Sequence, residues 1–447
     1  MFDIDTHNDF SIFSQRINKL LEKISKEYAH VKHGCIVLAA SFENSRTAFR
    51  QDSTFYYYTG INEPGVVLLV DLDNTRTLMV PQYAGNRSCW ILSQLASIVD
   101  DPDAFGIDDI EKLGAEIPGH QMSPWMSNDA YSGLIQVVND YIEHGGTIFV
   151  MGNKMSGALT DSYTVFQRLN CAVPGFNKHY ADISPLVAQM RRSKDMSEIE
   201  RLFSAVEISV LAHEAAAQAI APDVLECEVQ AQAEYIFTAG NARIAFPTIV
   251  ASGQSSTVLH YEPTKDPLVA GDVVIVDCGA ELNSYCGDLS RTYPVSGTFN
   301  ARQKELYNLV LELQTYISSL VKPGFWFTNG EEPEKSLNHL ARKFLHERGG
   351  YDVYFTHGIG HFLGLDVHDI GDVNIPLAEG DVFTIEPGLY LPDEKIGIRI
   401  EDNFWLTKNG AICLSEALPR KPEEIELFMK AQFSYHEEEQ DPTDSVS

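Results

Sequence analysis

Four acidic residues in the second half of the 447-residue chain stand within or at the ends of short apolar segments, and this placement constrains the fold more than any other feature of the sequence. They are Asp277, Asp288, Glu386 and Glu401. The segment before Asp277, Val273–Val276, is typical of a buried strand, and Val382–Ile385 precedes Glu386 in the same way. Because an unpaired carboxylate is strongly disfavoured in a protein interior, cations must balance these side chains.

Salt bridges and metal ions are the two ways to supply that positive charge. Arg291, three residues after Asp288, and Arg399, two residues before Glu401, are the basic residues nearby in sequence, so salt bridges alone would leave negative charge uncompensated. Divalent metal ions would account for all four carboxylates at once. A single ion would still leave too many of them unbalanced, which favours a site for two ions.

An internal repeat connects two of the four carboxylates. Pro267–Ala280 and Pro376–Leu389 lie 109 residues apart and are identical at six of fourteen positions, with Asp277 opposite Glu386. Each copy has a Gly-Asp turn, an apolar strand and then a carboxylate. Chance similarity between two turn-and-strand segments is the alternative explanation. We interpret the repeat as a duplicated half-domain whose two carboxylates meet in one central site.

Three histidines lie close together in a glycine-rich stretch, Thr356–Asp369. A single histidine, taken alone, is more often a hydrogen-bonded structural residue. His357, His361 and His368 fall within twelve residues of one another, however, and accompany four carboxylates. An oxygen-rich ligand set with one imidazole suits manganese, cobalt, iron or zinc. Two such ions about 3.5–4 Å apart would hold a hydroxide between them and polarise a scissile carbonyl.

The two halves of the chain have different patterns. Residues 1–185 alternate strand-like runs with amphipathic stretches, which predicts an α/β domain. A polar, proline-containing passage at 183–196 marks a domain boundary. Residues 190–425 combine helical and strand-like segments, which predicts an α+β domain. The acidic tail, 426–447, has the composition of a disordered segment.

Individual elements of the second domain can also be predicted. A long helix should begin after Asp195 or Ser197 and end before Pro222, and further helices are expected at about 223–240, 301–321 and 334–348. Apolar segments predict four strands, and these are Val273–Cys278, Ser284–Pro294, Val382–Leu391 and Gly397–Leu406.

Charge and cysteine content bear on partners and location. Lys and Arg total 33 against 63 Asp and Glu, a formal charge of −30, so binding to nucleic acid or an anionic membrane is not expected. The seven cysteines include no Cys-x-x-Cys pair, which fits free thiols in a reducing compartment. We see neither a signal peptide nor a membrane-spanning stretch, so a cytoplasmic location is expected.

The order and context of these residues resemble the pita-bread dinuclear metallopeptidases, which include methionine aminopeptidase, prolidase and Xaa-Pro aminopeptidase. The similar strings are Val274–Ala280, Gly287–Val295, His357–Asp369, Thr384–Tyr390 and Gly397–Asp402. Upstream, Phe49–Pro64 looks like the N-terminal domain of the aminopeptidase P branch. The resemblance therefore extends over nearly the whole chain and implies a C-terminal pita-bread fold with an N-terminal α/β domain.

The resemblance also implies a role for each metal-ligand candidate. Asp277 looks like the chelating ligand of one ion, while Asp288 and Glu401 look like bridging ligands. His361 and Glu386 would complete the second ion. Glu386 would in addition be the general base for the water between the ions.

Four further residues resemble groups that contact the substrate in this family. His260 matches a histidine near the scissile bond. His357 and His368 match two histidines that position the substrate and stabilise the tetrahedral intermediate or transfer a proton. Arg399 matches an arginine that lines the same pocket.

The function implied is that of a metal-dependent aminopeptidase, which hydrolyses the N-terminal Xaa-Pro bond of peptides through a hydroxide bridging two divalent ions. Manganese is the expected ion, with cobalt, zinc and iron as alternatives. An Xaa-Pro dipeptidase is the nearest alternative function, and an inactive peptide-binding homologue is another. Residues 369–385 contain no Arg or Lys to hold the carboxylate of a dipeptide, which favours longer peptides. Relatives of this layout imply a homodimer or homotetramer.

Overall fold

The computed structural model describes residues 10–44, 46–85, 87–152 and 161–429. The chain divides into two compact units, Met1–Met190 and Arg191–Ser447. Residues 422–429 are helical, so regular structure continues beyond the domain end expected at 425. The remainder of the acidic tail, 430–447, lies outside the described residues. Within the described ranges, no helix is both long enough and apolar enough to cross a membrane.

The first unit is an α/β domain built on a mixed six-stranded sheet. Its strands are β1 (Gly34–Ala39), β2 (Val67–Asp71), β3 (Arg76–Val80), β4 (Asp109–Lys112), β5 (Thr147–Val150) and β6 (Tyr180–Asp182). The sheet order is β4-β3-β2-β1-β5-β6, in which β1 is parallel to β5 and antiparallel to β2. Its helices are α1 (Phe10–Glu27), α2 (Ser53–Thr59), α3 (Leu95–Asp100), α4 (Ser132–Glu143), α5 (Asp161–Ala172) and α6 (Phe176–His179), and α7 (Ser184–Arg192) runs across the division between the units.

The second unit surrounds short antiparallel strands with long helices. Its helices are α8 (Met196–Ala219), α9 (Glu226–Ala239), α10 (Ala301–Leu320) and α11 (Leu337–Glu347). Its strands are β7 (Arg243–Ile244), β8 (Ile249–Ser252), β9 (Val273–Cys278), β10 (Ala280–Leu282), β11 (Tyr285–Cys286), β12 (Leu289–Pro294), β13 (Val382–Ile385), β14 (Gly388–Leu391), β15 (Ile396–Arg399), β16 (Asp402–Thr407) and β17 (Gly410–Cys413). This is the α+β layout that the sequence predicts, and Asp195 caps α8 as expected.

Three of the four predicted strands are interrupted, and each interruption contains one of the carboxylates. Asp288 lies between β11 and β12, Glu386 between β13 and β14, and Glu401 between β15 and β16. At Asp288 the side chain of Asn403 makes the hydrogen bonds that a neighbouring strand would otherwise make. Its Oδ1 accepts from the Asp288 amide at 3.1 Å and its Nδ2 donates to the Asp288 carbonyl. An interruption of the strand allows the backbone to turn so that the carboxylate faces inward. The pattern of apolar residues in the sequence does not reveal such an interruption.

The two copies of the repeat begin in the same way. Strands β9 and β13 start at Val273 and Val382, and the glycines two residues earlier, Gly271 and Gly380, both have a φ of 93°. Only glycine adopts that conformation without strain. Each strand then pairs antiparallel with a later one, β9 with β12 and β13 with β16. This local equivalence supports the interpretation of a duplicated half-domain.

A buried histidine joins the long helix α8 to the strands. The His213 side chain is fully buried; its Nε2 donates to the Leu289 carbonyl at 2.8 Å, and its Nδ1 lies 3.3 Å from the Tyr293 hydroxyl. Burial, together with the positive charge of Arg291, lowers the pKa of His213 to about 3. The folded protein therefore keeps this imidazole neutral.

We expect His213 to make the stability of the fold depend on pH. Below about pH 6.5 the unfolded chain binds a proton at this residue that the folded chain excludes, so its contribution falls as the pH falls, by about 1.4 kcal/mol per pH unit until the folded pKa is reached. Urea unfolding between pH 7 and 4 should therefore show a smaller loss of stability for His213→Gln than for the unmodified protein. The exposed His339, changed to Gln, should leave the pH dependence unaltered; equal slopes for all three proteins would contradict the expectation.

Candidate active site

All nine residues singled out in the sequence line one cavity of about 520 Å³ in the second unit. They are Asp277, Asp288, Glu386, Glu401, His260, His357, His361, His368 and Arg399. Apolar side chains complete the wall, among them Phe246, Ile249, Leu259 and Val367. The cavity is thus lined by both polar and apolar side chains, as expected of a site for a small, partly apolar ligand.

Three of the predicted metal ligands form the tightest group. The ligand atoms of Asp288, His361 and Glu401 all lie within 4.8 Å of one another. His361 Nε2 is 3.4 Å from Asp288 Oδ2 and 3.5 Å from Glu386 Oε1. Its Nδ1 lies 3.0 Å from the Phe362 carbonyl, and a proton on Nδ1 to make that hydrogen bond leaves Nε2 directed at the carboxylates. This is how a metal-binding histidine is oriented.

Asp277 stands outside that group, beside Arg399. Arg399 Nη2 donates to Asp277 Oδ2 at 2.6 Å. The other oxygen, Oδ1, is buried and has no hydrogen-bond partner among the described residues. A buried carboxylate oxygen without a donor is energetically costly, so Asp277 retains one oxygen suited to a cation.

The arginines near these carboxylates neutralise little of their charge. Arg291 is fully buried and its Nη2 donates to Asp402 Oδ1 at 2.7 Å, rather than to any of the four predicted carboxylates. Arg399 pairs with Asp277 alone, although its Nε also donates to Ser290 Oγ, which in turn donates to Glu401 Oε2. Among the described residues, salt bridges with arginine or lysine therefore account for one of the four predicted carboxylates, and the donor set fits divalent cations.

The protonation of the cluster reflects this excess of negative charge. Burial, with Asp277 close by, raises the pKa of Asp288 to about 6, although a hydrogen bond with His361 opposes the rise. Burial likewise raises the pKa of Glu386 to about 7 and that of Glu401 well above its usual range. Burial favours the neutral form of His361, but its hydrogen bond to Asp288 and the charge of Glu386 outweigh burial and raise its pKa to about 9. A metal ion competes with the proton at each of these groups.

A chain of hydrogen bonds leads from Arg399 to His357. Arg399 Nη1 donates to the Tyr390 hydroxyl oxygen at 3.0 Å. His357 Nδ1 lies 2.8 Å from the Gly358 carbonyl, so it carries a proton and Nε2 accepts from the Tyr390 hydroxyl at 2.9 Å. Burial and the charge of Arg399 lower the pKa of His357 to about 4. The imidazole is therefore neutral at physiological pH.

The two remaining histidines stand on different segments of the cavity wall. The His368 ring lies edge-on to the His361 ring, with centroids 4.2 Å apart, and burial, followed by the charge of His361, lowers its pKa to about 4. His260 is exposed, on the loop that follows β8. The structure thus places all three predicted substrate-contacting histidines on one cavity.

Three residues of the site are missing from the sequence-based prediction. Ser290 connects Arg399 with Glu401, Tyr390 connects Arg399 with His357, and Asn403 holds the backbone of Asp288. Ser290 and Tyr390 lie inside strings that carry the family resemblance, so those strings contained a signal. Asn403 lies one residue beyond such a string, and no pattern in the sequence identifies it.

Two family models match the chain. Residues 200–408 match the metallopeptidase family M24, and residues 13–115 match the aminopeptidase P N-terminal domain. One match lies within each of the two structural units.

Individual proteins give the same result over most of the chain. The Xaa-Pro aminopeptidase of Escherichia coli is 30% identical over 94% of this chain and 97% of its own length. An Xaa-Pro dipeptidase of Pyrococcus furiosus is 37% identical, over 54% of this chain and 67% of its own length. The solved structure of aminopeptidase P from E. coli with the inhibitor Pro-Leu superposes with a TM-score of 0.78 at 27% identity, covering 96% of this chain and 100% of that one.

The similarity spans both units, and the residues that carry it in the second unit line a single cavity. The second unit has the pita-bread fold of these structural neighbours. The chain belongs to the M24 metallopeptidases, in the branch of the Xaa-Pro aminopeptidases.

Proposed function

We propose that this chain removes the N-terminal residue from peptides whose second residue is proline, with two divalent ions bound in the cavity. The observation that carries the proposal is the convergence of the four predicted carboxylates, four histidines and one arginine on a single cavity. Proline lacks a backbone N–H and has a fixed φ, so a cleft shaped for its ring can distinguish it from other residues.

The proposed metal ligands are Asp277, Asp288, His361, Glu386 and Glu401. The buried Asp277 Oδ1 without a hydrogen-bond partner and the inward-facing His361 Nε2 support this assignment. The oxygen-rich set favours manganese, with cobalt, zinc or iron as alternatives. When bound, two such ions would lower the pKa of a water and polarise the scissile carbonyl.

The remaining residues would orient the peptide and handle protons. Glu386 lies 3.7 Å from His357 Nδ1, measured from Oε2, and is proposed as the general base. The neutral imidazole of His368 is suited to donate a hydrogen bond to the developing oxyanion, whereas His357, whose two ring nitrogens are engaged by Gly358 and Tyr390, would position the substrate. His260 would stand beside the scissile bond, and Arg399, held by Asp277 and Tyr390, would line the same wall.

Peptide length separates the aminopeptidase from its nearest alternative. The segment 369–385 contains neither Arg nor Lys, so it offers no cation for the free carboxylate of a dipeptide. An aminopeptidase matches 94% of the chain at 30% identity, whereas a dipeptidase that matches the same share is 26% identical and one that is 37% identical matches 54%. We therefore propose peptides longer than two residues as substrates.

The cellular setting is proposed on separate grounds. All seven cysteines are free thiols, and Cys35, Cys278 and Cys286 are buried, which supports a reducing compartment such as the cytoplasm. A homodimer or homotetramer is proposed from the family layout alone. Light scattering coupled to size-exclusion chromatography would measure the mass directly.

We expect manganese-loaded protein to release alanine from Ala-Pro-Ala much faster than from Ala-Pro, because the segment 369–385 has no cation for the dipeptide carboxylate. Quantifying free alanine over time under identical conditions measures both rates. Asp288→Ala, which lacks a proposed metal ligand, should lose nearly all activity.

The outcomes separate the candidate functions. Faster cleavage of Ala-Pro would make the chain a dipeptidase despite the missing loop cation. Failure to cleave either peptide with manganese, cobalt or zinc would remove the catalytic proposal and favour a peptide-binding role.

We expect the folded protein to bind two divalent ions per chain and His361→Ala to retain at most one, because the imidazole is the one nitrogen ligand proposed. Elemental analysis after loading with manganese and gel filtration gives the stoichiometry. The exposed His339, changed to Ala, is the matched control and should keep both ions. Equal metal content in His361→Ala and the unmodified protein would rule out this histidine as a ligand.

A further inference from the structure

The loop Ser252–Thr264 forms one wall of the cavity. It leaves strand β8 at Ser252, passes through a short 3-10 turn at Gly253–Thr257 and then places Leu259, His260 and Tyr261 on the cavity. Within the described part of the chain, no hydrogen bond holds the His260 side chain itself. The position of His260 therefore depends on what fixes the loop.

A buried carboxylate on a neighbouring helix accepts hydrogen bonds from both ends of this loop. Glu226, the first residue of α9, is only 1% exposed. Its Oε1 accepts from the backbone amide and the hydroxyl of Ser252, at 3.1 and 2.9 Å. Its Oε2 accepts from the Tyr261 hydroxyl at 2.9 Å, and from the amide and hydroxyl of Thr264, both at 3.2 Å.

Every one of these five hydrogen bonds goes to the His260 loop. A buried carboxylate is stable only when donors compensate it, and hydrogen bonds to an ionised acceptor are stronger than neutral ones. The N-terminus of α9 adds a favourable environment for negative charge. The Glu226 side chain thereby fixes the distance between Ser252 and Thr264, which are twelve residues apart in sequence.

The middle of the loop has a second attachment, to the strand that carries Arg399. Ser256 Oγ accepts from the Gly397 amide of β15 at 2.7 Å. A Cβ on Gly397 would stand 1.9 Å from the Ser256 carbonyl oxygen, so the loop packs directly on this strand. With both ends and the middle held, the short stretch Val258–Leu259 connects fixed structure to His260.

We propose that Glu226 is a positioning residue of the active site, which fixes the Ser252–Thr264 loop and through it the place of His260. The inference rests on the proposed peptidase function for its catalytic consequence, but the fixing of the loop does not. Glu226→Gln tests it, because the amide keeps the size of the side chain, while its NH₂ group cannot accept the hydrogen bonds from one end of the loop.

A double-mutant comparison separates positioning from general damage. With manganese-loaded protein and Ala-Pro-Ala, Glu226→Gln should lower kcat/KM about tenfold or more, since small displacements at a reacting centre have large effects on rate. In a His260→Ala background the same change should cost about twofold or less, because the loop then has no histidine to misplace. Bound manganese should be the same in all four proteins.

The neighbouring Glu228 provides the matched control. It lies on the same turn of α9, but its carboxylate accepts from the Leu225 amide at 2.9 Å and so closes the helix N-terminus rather than the loop. Glu228→Gln should therefore leave kcat/KM unchanged. Thr264→Val, which removes one donor to Glu226, should reproduce part of the Glu226→Gln effect.

Hydrogen exchange measures the loop directly and without catalysis. Amides of 253–263 should exchange faster in Glu226→Gln, while those in the second half of α9 should not. Unchanged exchange of the loop would overturn the proposal, as would equal losses of kcat/KM with and without His260. If the unmodified protein cleaves no Xaa-Pro peptide, the proposed function fails, and the exchange experiment still decides whether Glu226 fixes the loop.

Discussion

The second unit depends on one electrostatic constraint, a group of buried carboxylates that its own basic residues do not neutralise. Asp288, Glu386 and Glu401 all have raised pKa values because burial is not offset by enough positive charge. Arg399 forms an ion pair with Asp277, and Arg291 forms one with Asp402. The Nε2 of His361 faces the carboxylates, and the Ser290 hydroxyl donates to Glu401. Bound cations would therefore balance the charge that remains in the site.

The fold meets this constraint by breaking strands. Regular pairing would direct backbone groups to neighbouring strands and side chains alternately to the two faces. At Asp288, Glu386 and Glu401 the named strands are interrupted. The side chain of Asn403 satisfies the backbone of Asp288, while the amides of Glu386 and Glu401 donate to the carbonyls of Ile359 and Ser290. Helices α8 and α10 cover the strands, with His213 and Gln314 making buried hydrogen bonds to them, so the interrupted region remains enclosed. Glu226 supplies the same kind of support to the loop with His260.

Much of this arrangement could be predicted from the sequence. Apolar periodicity and capping predict the ends of α8 to within a residue or two, and the apolar run predicts β9 at its observed bounds. Both predictions succeed because the buried face of a regular helix or strand produces a regular pattern of apolar residues. The carboxylates were recognisable because charge in an apolar segment violates that pattern. The strand breaks were not predicted, since a single polar residue inside an apolar run does not reveal lost pairing. The roles of Asn403 and Glu226 depend on contacts 115 and 26–38 residues away in sequence, which no local pattern records.

The hairpin β14–β15 separates two of the proposed ligands, Glu386 and Glu401. Its base is fixed where Gly388 pairs with Arg399, and its far end closes where Leu391 pairs with Ile396. The turn between them, 392–395, has Lys395 in a left-handed conformation with a φ of 59°. Because the separation of the two ligands is set at the base, residues added at the turn would lengthen the hairpin without moving either carboxylate. Insertions or deletions at the tip of this hairpin would therefore change the surface of the protein there while the cavity stays the same.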